Sequence, residues 1–462
     1  MKMNQIFVLI LIFCFASTML GQGLDKAENK NVAASSLLLV RAGQVVDLKE
    51  GRYLKDQGIL IQGGQIKQVG PFLSVRQQAP EPCAFLDLSQ LTVLPGLIDV
   101  HTHLLLSYDP TIGFDDINMV ATVSQVSTAM RALKGAALAR EELEAGITTV
   151  RDVGNSGING DIALRDAIAA GYIVGPRMLV STRALAAPGG QFPRLQKNAQ
   201  GLVDQEYVVV TNPNEGRAAV QQAIYDGADL IKVIVNTGER VIAPDTLKSI
   251  VNEAHRVGKK VAAHATNEFA TAIAVGAGVD SVEHAYYIDD EELKLMASKK
   301  IFMVPTDQPV DVTRILLAAT PNHPAFSAEA ARDSVDQKAD RIRRAITAGV
   351  PLAFGSDMYY EIPGMTRGEA SLATLRAYAA EGLSPLQILR MATIDAAALL
   401  GLKNQIGDLA PNMSADLIAV QGDPLQDISS ITQVRVVIKA GAIIRNNAEP
   451  ARAVLWAPTE GR

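Results

Sequence analysis

Four of the six histidines, His101, His103, His264 and His284, fall at or near the C-terminal ends of segments that read as strands. His101 and His103 are two residues apart, so one strand points both imidazoles the same way. Two imidazoles aimed at one point are the beginning of a metal site. The plainer alternative is a chance His-x-His on a surface strand. Two later strands each contribute a histidine, and the run Phe354-Gly355-Ser356-Asp357 ends in a carboxylate, so the coincidence becomes hard to sustain. Lys232 is the second clue, because it lies inside the apolar run Leu230-Ile231-Lys232-Val233-Ile234-Val235. An ammonium there is costly unless it is neutralised or paired. Two solutions stay open. Carbon dioxide could convert the amine to an N-carboxylate able to bridge two cations, or a nearby carboxylate could pair with it at a barrel rim. His255 on a helix and His323 beside Pro324 are read as non-ligands, and Cys83 in Pro80-Glu81-Pro82-Cys83 as structural.

These side chains need a scaffold that brings distant strand ends together. Eight buried-looking strands alternate with helical stretches: Leu97–His103, Ile147–Val153, Arg177–Thr182, Asp229–Val235, Lys260–Ala265, Asp280–Ala285, Ile301–Pro305 and Pro351–Asp357. Val120–Ala145, Asn214–Asp226, Asp245–Val257 and Asp289–Lys299 read as helices. The expected class is α/β, a TIM (β/α)8 barrel over residues 95–404, whose active site lies at the C-terminal ends of the strands. A doubly wound open sheet is disfavoured, because the first βα turn has no glycine-rich phosphate fingerprint. Short strands and glycine turns at both chain ends predict a second, small β-sandwich domain built from residues 36–94 and 405–460.

Composition narrows the function classes. The chain has 462 residues, 48% hydrophobic and 20% charged, a globular balance that argues against disorder. Its net charge of −6, without a basic cluster, argues against nucleic acid as a partner. The one long apolar stretch follows Lys2 and covers Ile6 to Phe15. A positive start, a short apolar core and the small residues after it predict a signal peptide over residues 1–22, and export to the periplasm or the exterior without lasting membrane insertion. An uncleaved anchor helix is the competing reading. Removing this segment leaves Cys83 alone, so no internal disulfide is expected.

In order along the chain, Pro95-Gly96-Leu97-Ile98-Asp99-Val100-His101-Thr102-His103, Gly146-Ile147-Thr148-Thr149-Val150-Arg151-Asp152-Val153-Gly154, Ala262-Ala263-His264-Ala265, Val282-Glu283-His284-Ala285 and Gly355-Ser356-Asp357 resemble strand signatures of the amidohydrolase superfamily. The resemblance extends to Gly407-Asp408-Leu409-Ala410-Pro411-Asn412-Met413-Ser414-Ala415-Asp416-Leu417. Within that superfamily the chain is most similar to imidazolonepropionase-like and prolidase-like metal-dependent hydrolases. The resemblance implies two divalent metal ions, zinc foremost. It implies His101, His103 and Asp357 on the buried ion, His264 and His284 on the outer one, and carboxylated Lys232 bridging both. It also implies Asp357 as proton shuttle in cleaving a C–N bond with a metal-activated hydroxide.

Some positions depart from the family pattern. Ring deaminases of the superfamily carry a Glu three residues after the fifth-strand His, where this chain has Asn267. Imidazolonepropionases lack the lysine that Lys232 provides. Relatives often show Gly-Gly-His where this chain has Gly189-Gly190-Gln191. Gln191, Tyr286, Tyr287 and Arg240 are the expected substrate-facing groups. Arg240 would grip a substrate carboxylate, against the alternative of a solvated loop charge. The expected substrate is a small amide such as a dipeptide or N-acyl amino acid. The alternatives are a lactone, cyclic amide or phosphotriester at the same site, or a non-catalytic binding protein on this fold. The resemblance admits a homo-oligomer, but the oligomeric state is not legible.

Overall fold

The computed structural model describes residues 37–113, 115–321 and 327–448. The expected signal peptide and His323 lie outside the described residues. Among those described, no helix is long and apolar enough to cross a membrane.

Both chain ends enter one seven-stranded sheet. Its order places Ala442–Asn446, Val434–Lys439 and Leu417–Val420 beside Ala84–Pro95, followed by Leu37–Asp47, Arg52–Gln62 and Gln65–Pro71. The junction is the antiparallel register of Leu417 with Pro95 and Val420 with Thr92. Alternation along Leu37–Asp47 decides the faces. Leu38, Val40 and Ala42 pack with Ile59, Val93, Leu417 and Ile438, while Leu39 turns the other way to Leu60 and Val75. The two facing sheets of a sandwich are not separate in the hydrogen-bond pattern. The single sheet instead bends back on itself. Asn412 N donates to Ile66 O and Ala415 N to Gly64 O, bringing its far hairpin onto the C-terminal strands.

Between these ends the strands of the two larger sheets are parallel. Leu97–Thr102, Ile147–Asp152 and Arg177–Val180 form one sheet. A second runs through Phe302–Val304, Ser281–His284, Lys260–Ala265, Leu230–Ile234, Ala184–Ala186 and Tyr207–Val209. Hydrogen bonds cross the gaps between the two. Asp229 N donates to Val180 O at 2.8 Å on one side. On the other, the extended segment expected as the eighth strand lies between its neighbours. Ala353 N donates to Met303 O at 3.1 Å, and Val100 N to Phe354 O and Asp357 N to His101 O, both at 2.9 Å. That segment makes only an isolated bridge, Met303 with Leu352, rather than a continuous ladder. Gly355 explains its close approach, since a Cβ there would lie 2.5 Å from the His101 Cβ.

Two local expectations are corrected. The helix expected over Val120–Ala145 is two helices, Asp115–Gln125 and Thr128–Glu144. Ser127 breaks it: in extended backbone, its side chain accepts from Met130 N and caps the second helix. The short strands Ala184–Ala186 and Tyr207–Val209 occupy a stretch for which the sequence predicts no element. Three residues are too few for alternation to register.

Candidate metal centre and active site

Strand geometry brings the expected ligands to one cavity. A cavity of about 330 Å³ is lined by His101, His103, Lys232, His264, His284 and Asp357, together with Gln191 and Tyr286. Asp357 Oδ1 lies 3.5 Å from His101 Nε2 and 3.4 Å from His103 Nε2. The His264 and His284 ring centres are 4.5 Å apart, and those of His101 and His284 are 5.3 Å apart. His101, His284 and Asp357 each offer a ligand atom within 4.8 Å of the others.

The outward nitrogens are anchored. His101 Nδ1 hydrogen-bonds Glu283 Oε2 at 2.7 Å, His103 Nδ1 the Gly154 carbonyl at 2.8 Å, and His284 Nδ1 the Thr306 hydroxyl at 2.7 Å. Such partners fix ring orientation and tautomer in metal-binding histidines. Burial first, and the nearby Lys232 charge among the other causes, drive His101 and His284 well below the usual histidine value and His264 down to about 3. All three imidazoles are therefore neutral and able to coordinate.

Lys232 is 2% exposed, and its Nζ has no hydrogen-bond partner among the described residues. The expected alternative, an ion pair at the rim, is absent there. Burial lowers the amine pKa to about 8, against the opposing pull of Glu283 and Asp357. An orphaned amine facing neutral imidazoles and a carboxylate fits a divalent-cation site in which the amine becomes an anionic ligand.

Backbone strain gathers at the same rim. Asn155, Thr182, His284, Ala285, Thr306 and Asp357 all have positive φ. Non-glycine residues hold that conformation only where surroundings over-determine it, and such positions cluster at active sites. At His284 the consequence is direct. Strand alternation would send Glu283 and His284 to opposite faces, but with φ at 72° in His284 both serve the cavity.

Several supporting groups were not singled out by sequence reasoning, although three lie inside the quoted motifs. Asp99 Oδ1 accepts from both His101 N and Ser356 N at 3.0 Å, tying the strand Leu97–Thr102 to the extended segment before Asp357 beneath the expected ligands. Arg151 donates to Glu283 Oε1 at 2.8 Å and to Ser281 Oγ at 3.0 Å. The charged residues in Ile98-Asp99-Val100, Thr149-Val150-Arg151 and Val282-Glu283-His284 were the available signal, because charges inside apolar strands need partners. Glu283→Gln is expected to cost about 3–5 kcal/mol of stability, because Arg151 would remain buried without its counter-charge. It should also weaken metal binding about 10–100-fold. Denaturant unfolding and a metal-competition titration check both.

Two expected substrate contacts lie elsewhere. Arg240 does not line the cavity. Its guanidinium donates to the Pro188 and Phe192 carbonyls at 3.2 and 2.8 Å, pinning the loop that carries Gln191. Tyr287 is 64% exposed and faces a separate outer groove. Arg240 lies on the two-residue strand Arg240–Val241 and Tyr287 on a loop, so neither belongs to a run long enough for periodicity to give its direction. Gln191 and Tyr286 do line the cavity. Gln191 Oε1 accepts from the Tyr207 hydroxyl at 2.9 Å, leaving its amide N–H groups as the remaining donors.

Comparison with known proteins agrees with this architecture. A family model described as the amidohydrolase family matches residues 92–444. The chain is 30% identical to an ochratoxinase of Aspergillus niger over 438 residues, covering 87% of this chain and 85% of that protein. It is 26% identical to an imidazolonepropionase of Deinococcus deserti, covering 85% and 93%. The solved structure of a Xaa-Pro dipeptidase with methionine in its active site is 30% identical, with a TM-score of 0.74, covering 88% of this chain and 99% of the other.

Proposed function

The chain belongs to the amidohydrolase family and is a hydrolase acting on carbon–nitrogen bonds; on that premise we propose that it cleaves the amide of a small substrate, a dipeptide or N-acyl amino acid, at a site holding two divalent cations. The observation that carries this reading is the buried, partnerless Lys232 Nζ among the histidines and Asp357. The family generally uses a divalent metal. His101, His103 and Asp357 would hold one cation, His264 and His284 the other, with Lys232 as the N-carboxylate between them and zinc the expected metal. When bound, such cations supply Lewis acidity and a hydroxide nucleophile near neutral pH.

The chain's own groups do the rest. Asp357 takes a proton at a carboxylate oxygen and returns it to the departing nitrogen. Glu283, Gly154 and Thr306 keep the imidazoles aimed through their second nitrogens. The free Gln191 amide donors and Tyr286 face the substrate, with neutral donors standing where a guanidinium was expected. The histidine of Gly-Gly-His relatives is glutamine here, so this wall offers hydrogen bonds without a titrating group.

Three further elements belong to this proposal. The parallel strands close into a (β/α)8 barrel over residues 95–404, supported by the hydrogen bonds from Asp229 to Val180 and from Val100 to Phe354. Among the described residues, the bent terminal sheet forms the companion β-sandwich domain from 37–94 and 405–448. The apolar N-terminal segment directs export.

Metal analysis of active protein should find about two ions per chain. A panel of Xaa-Pro, Xaa-Arg and N-acyl amino acid substrates, with lactones and phosphotriesters alongside, should show turnover of amides. One ion or none in active protein, or turnover confined to non-amides, contradicts the proposal.

A further inference from the structure

One wall of the cavity is made of groups that the proposed hydrolysis does not use. Tyr108, Asp115 and Tyr359 line it, next to Met119. Asp115 opens the helix Asp115–Gln125, and its carboxylate accepts from the Tyr359 hydroxyl at 3.3 Å and from the Tyr360 hydroxyl. The three phenol rings are mutually close: Tyr108 to Tyr359 is 5.3 Å, Tyr108 to Tyr360 5.7 Å and Tyr359 to Tyr360 5.1 Å between centres. Tyr108 is 1% exposed, and its hydroxyl has no partner among the described residues. The backbone holds these groups together. Tyr108 N donates to Tyr359 O and Glu361 N to Tyr108 O, both at 2.8 Å, so the loop after His103 runs alongside the segment after Asp357. The Tyr359 ring is 6.0 Å from the His103 ring, which puts this wall within one residue's length of the metal ligands.

A carboxylate beside clustered aromatic faces attracts an organic cation, through charge and through the ring quadrupoles. Among the described residues, no protein cation is paired with Asp115. Lys232 is the only Lys or Arg among the lining residues, and Arg240 is committed to backbone carbonyls. We propose that Asp115, Tyr108 and Tyr359, with Tyr360 hydrogen-bonded to Asp115, form a subsite for a cationic group of the substrate, an ammonium or guanidinium within about one residue of the scissile amide. The inference rests on the amide-hydrolase reading of the adjoining site and deepens it. Of the amides that reading admits, it selects those bearing a positive charge.

A binding experiment separates the two claims, because it needs no turnover. Butylammonium and tetramethylammonium chloride, with 1-butanol as the neutral control, are titrated calorimetrically into metal-loaded protein. The ammonium ions should bind about tenfold more tightly than butanol. Asp115→Asn should remove that advantage. Asp116→Asn, one position on and exposed, should leave it, which controls for bulk charge. Tyr359→Leu should weaken tetramethylammonium binding without Asp115 being touched, so a misfolded Asp115 variant does not decide the matter. Hydrolysis then gives the specificity. Across ω-aminoacyl-glycines from β-alanyl to 6-aminohexanoyl, and glycyl amides of lysine or arginine, at least one cationic compound should exceed its isosteric neutral partner about tenfold in kcat/KM. That ratio should fall toward one in Asp115→Asn. Equal binding of ammonium and butanol, equal losses in the Asp115 and Asp116 variants, or preference for the neutral partner throughout overturns the subsite. Ammonium binding through Asp115 in a protein that turns over no amide supports the subsite and overturns the hydrolase reading alone.

Discussion

Lys232→Met is expected to abolish hydrolysis while leaving a protein at least as stable as the original. Met matches the lysine stem in length, fills the same apolar strand, and cannot form an N-carboxylate. In the proposed site it removes the only ligand shared by both cations. Metal content should fall to about one ion or none per chain, and kcat/KM by about 10³-fold or more, roughly 4 kcal/mol of transition-state stabilisation. Stability should move the other way in metal-free protein. The Lys232 amine is depressed from 10.5 to about 8 by burial, so the folded state holds its proton less tightly than the unfolded chain. The resulting penalty, about 3 kcal/mol, is fully present below pH 8 and fades as pH rises toward 10.5. Metal-free wild type should therefore gain stability across that window, and Lys232→Met should not. Denaturant unfolding at stepped pH reads the difference. A variant that keeps both metal and activity would remove Lys232 from the chemistry.

Asp357→Asn has the second large effect. The carboxylate stands 3.4 Å from His103 Nε2 and 3.5 Å from His101 Nε2, where it can both ligate and carry a proton. Asparagine keeps the shape and loses the proton acceptor. The expected loss is about 10³-fold in kcat with a smaller change in KM, since the missing interaction belongs to the transition state. Steady-state kinetics on correctly folded variant measure this split. Unchanged hydrolysis would remove Asp357 from the proton transfer.

The meeting of these side chains in one cavity was legible for a physical reason. His101, Lys232 and His264 sit on strands and His103 directly follows one, so a period of two fixes which side chains share a face, and parallel strands deliver their C-terminal ends to one rim. Other groups around the cavity were not, because they break that period. Glu283 and His284 are neighbours that serve one cavity only through a left-handed residue. Asp115, Tyr108 and Tyr359 meet through a single bridge between loops, Tyr108 with Tyr360, which no local pattern announces. Arg240 shows the converse error. Its position after the Lys232 strand suggested a substrate clamp, whereas its donors are taken by Pro188 and Phe192. The joining of both chain ends could be read from matching strand and turn texture. The bending of one sheet on itself depends on contacts more than 300 residues apart, such as Ala415 with Gly64, and lies beyond any sequence window.

The most direct measurement is anomalous diffraction from crystals of metal-loaded protein grown with bicarbonate. The account predicts two anomalous peaks in the cavity, one against His101, His103 and Asp357 and one against His264 and His284, with continuous density from Lys232 Nζ to a planar group between them. A single peak, or a bare Lys232 amine standing apart from two ions, would contradict it.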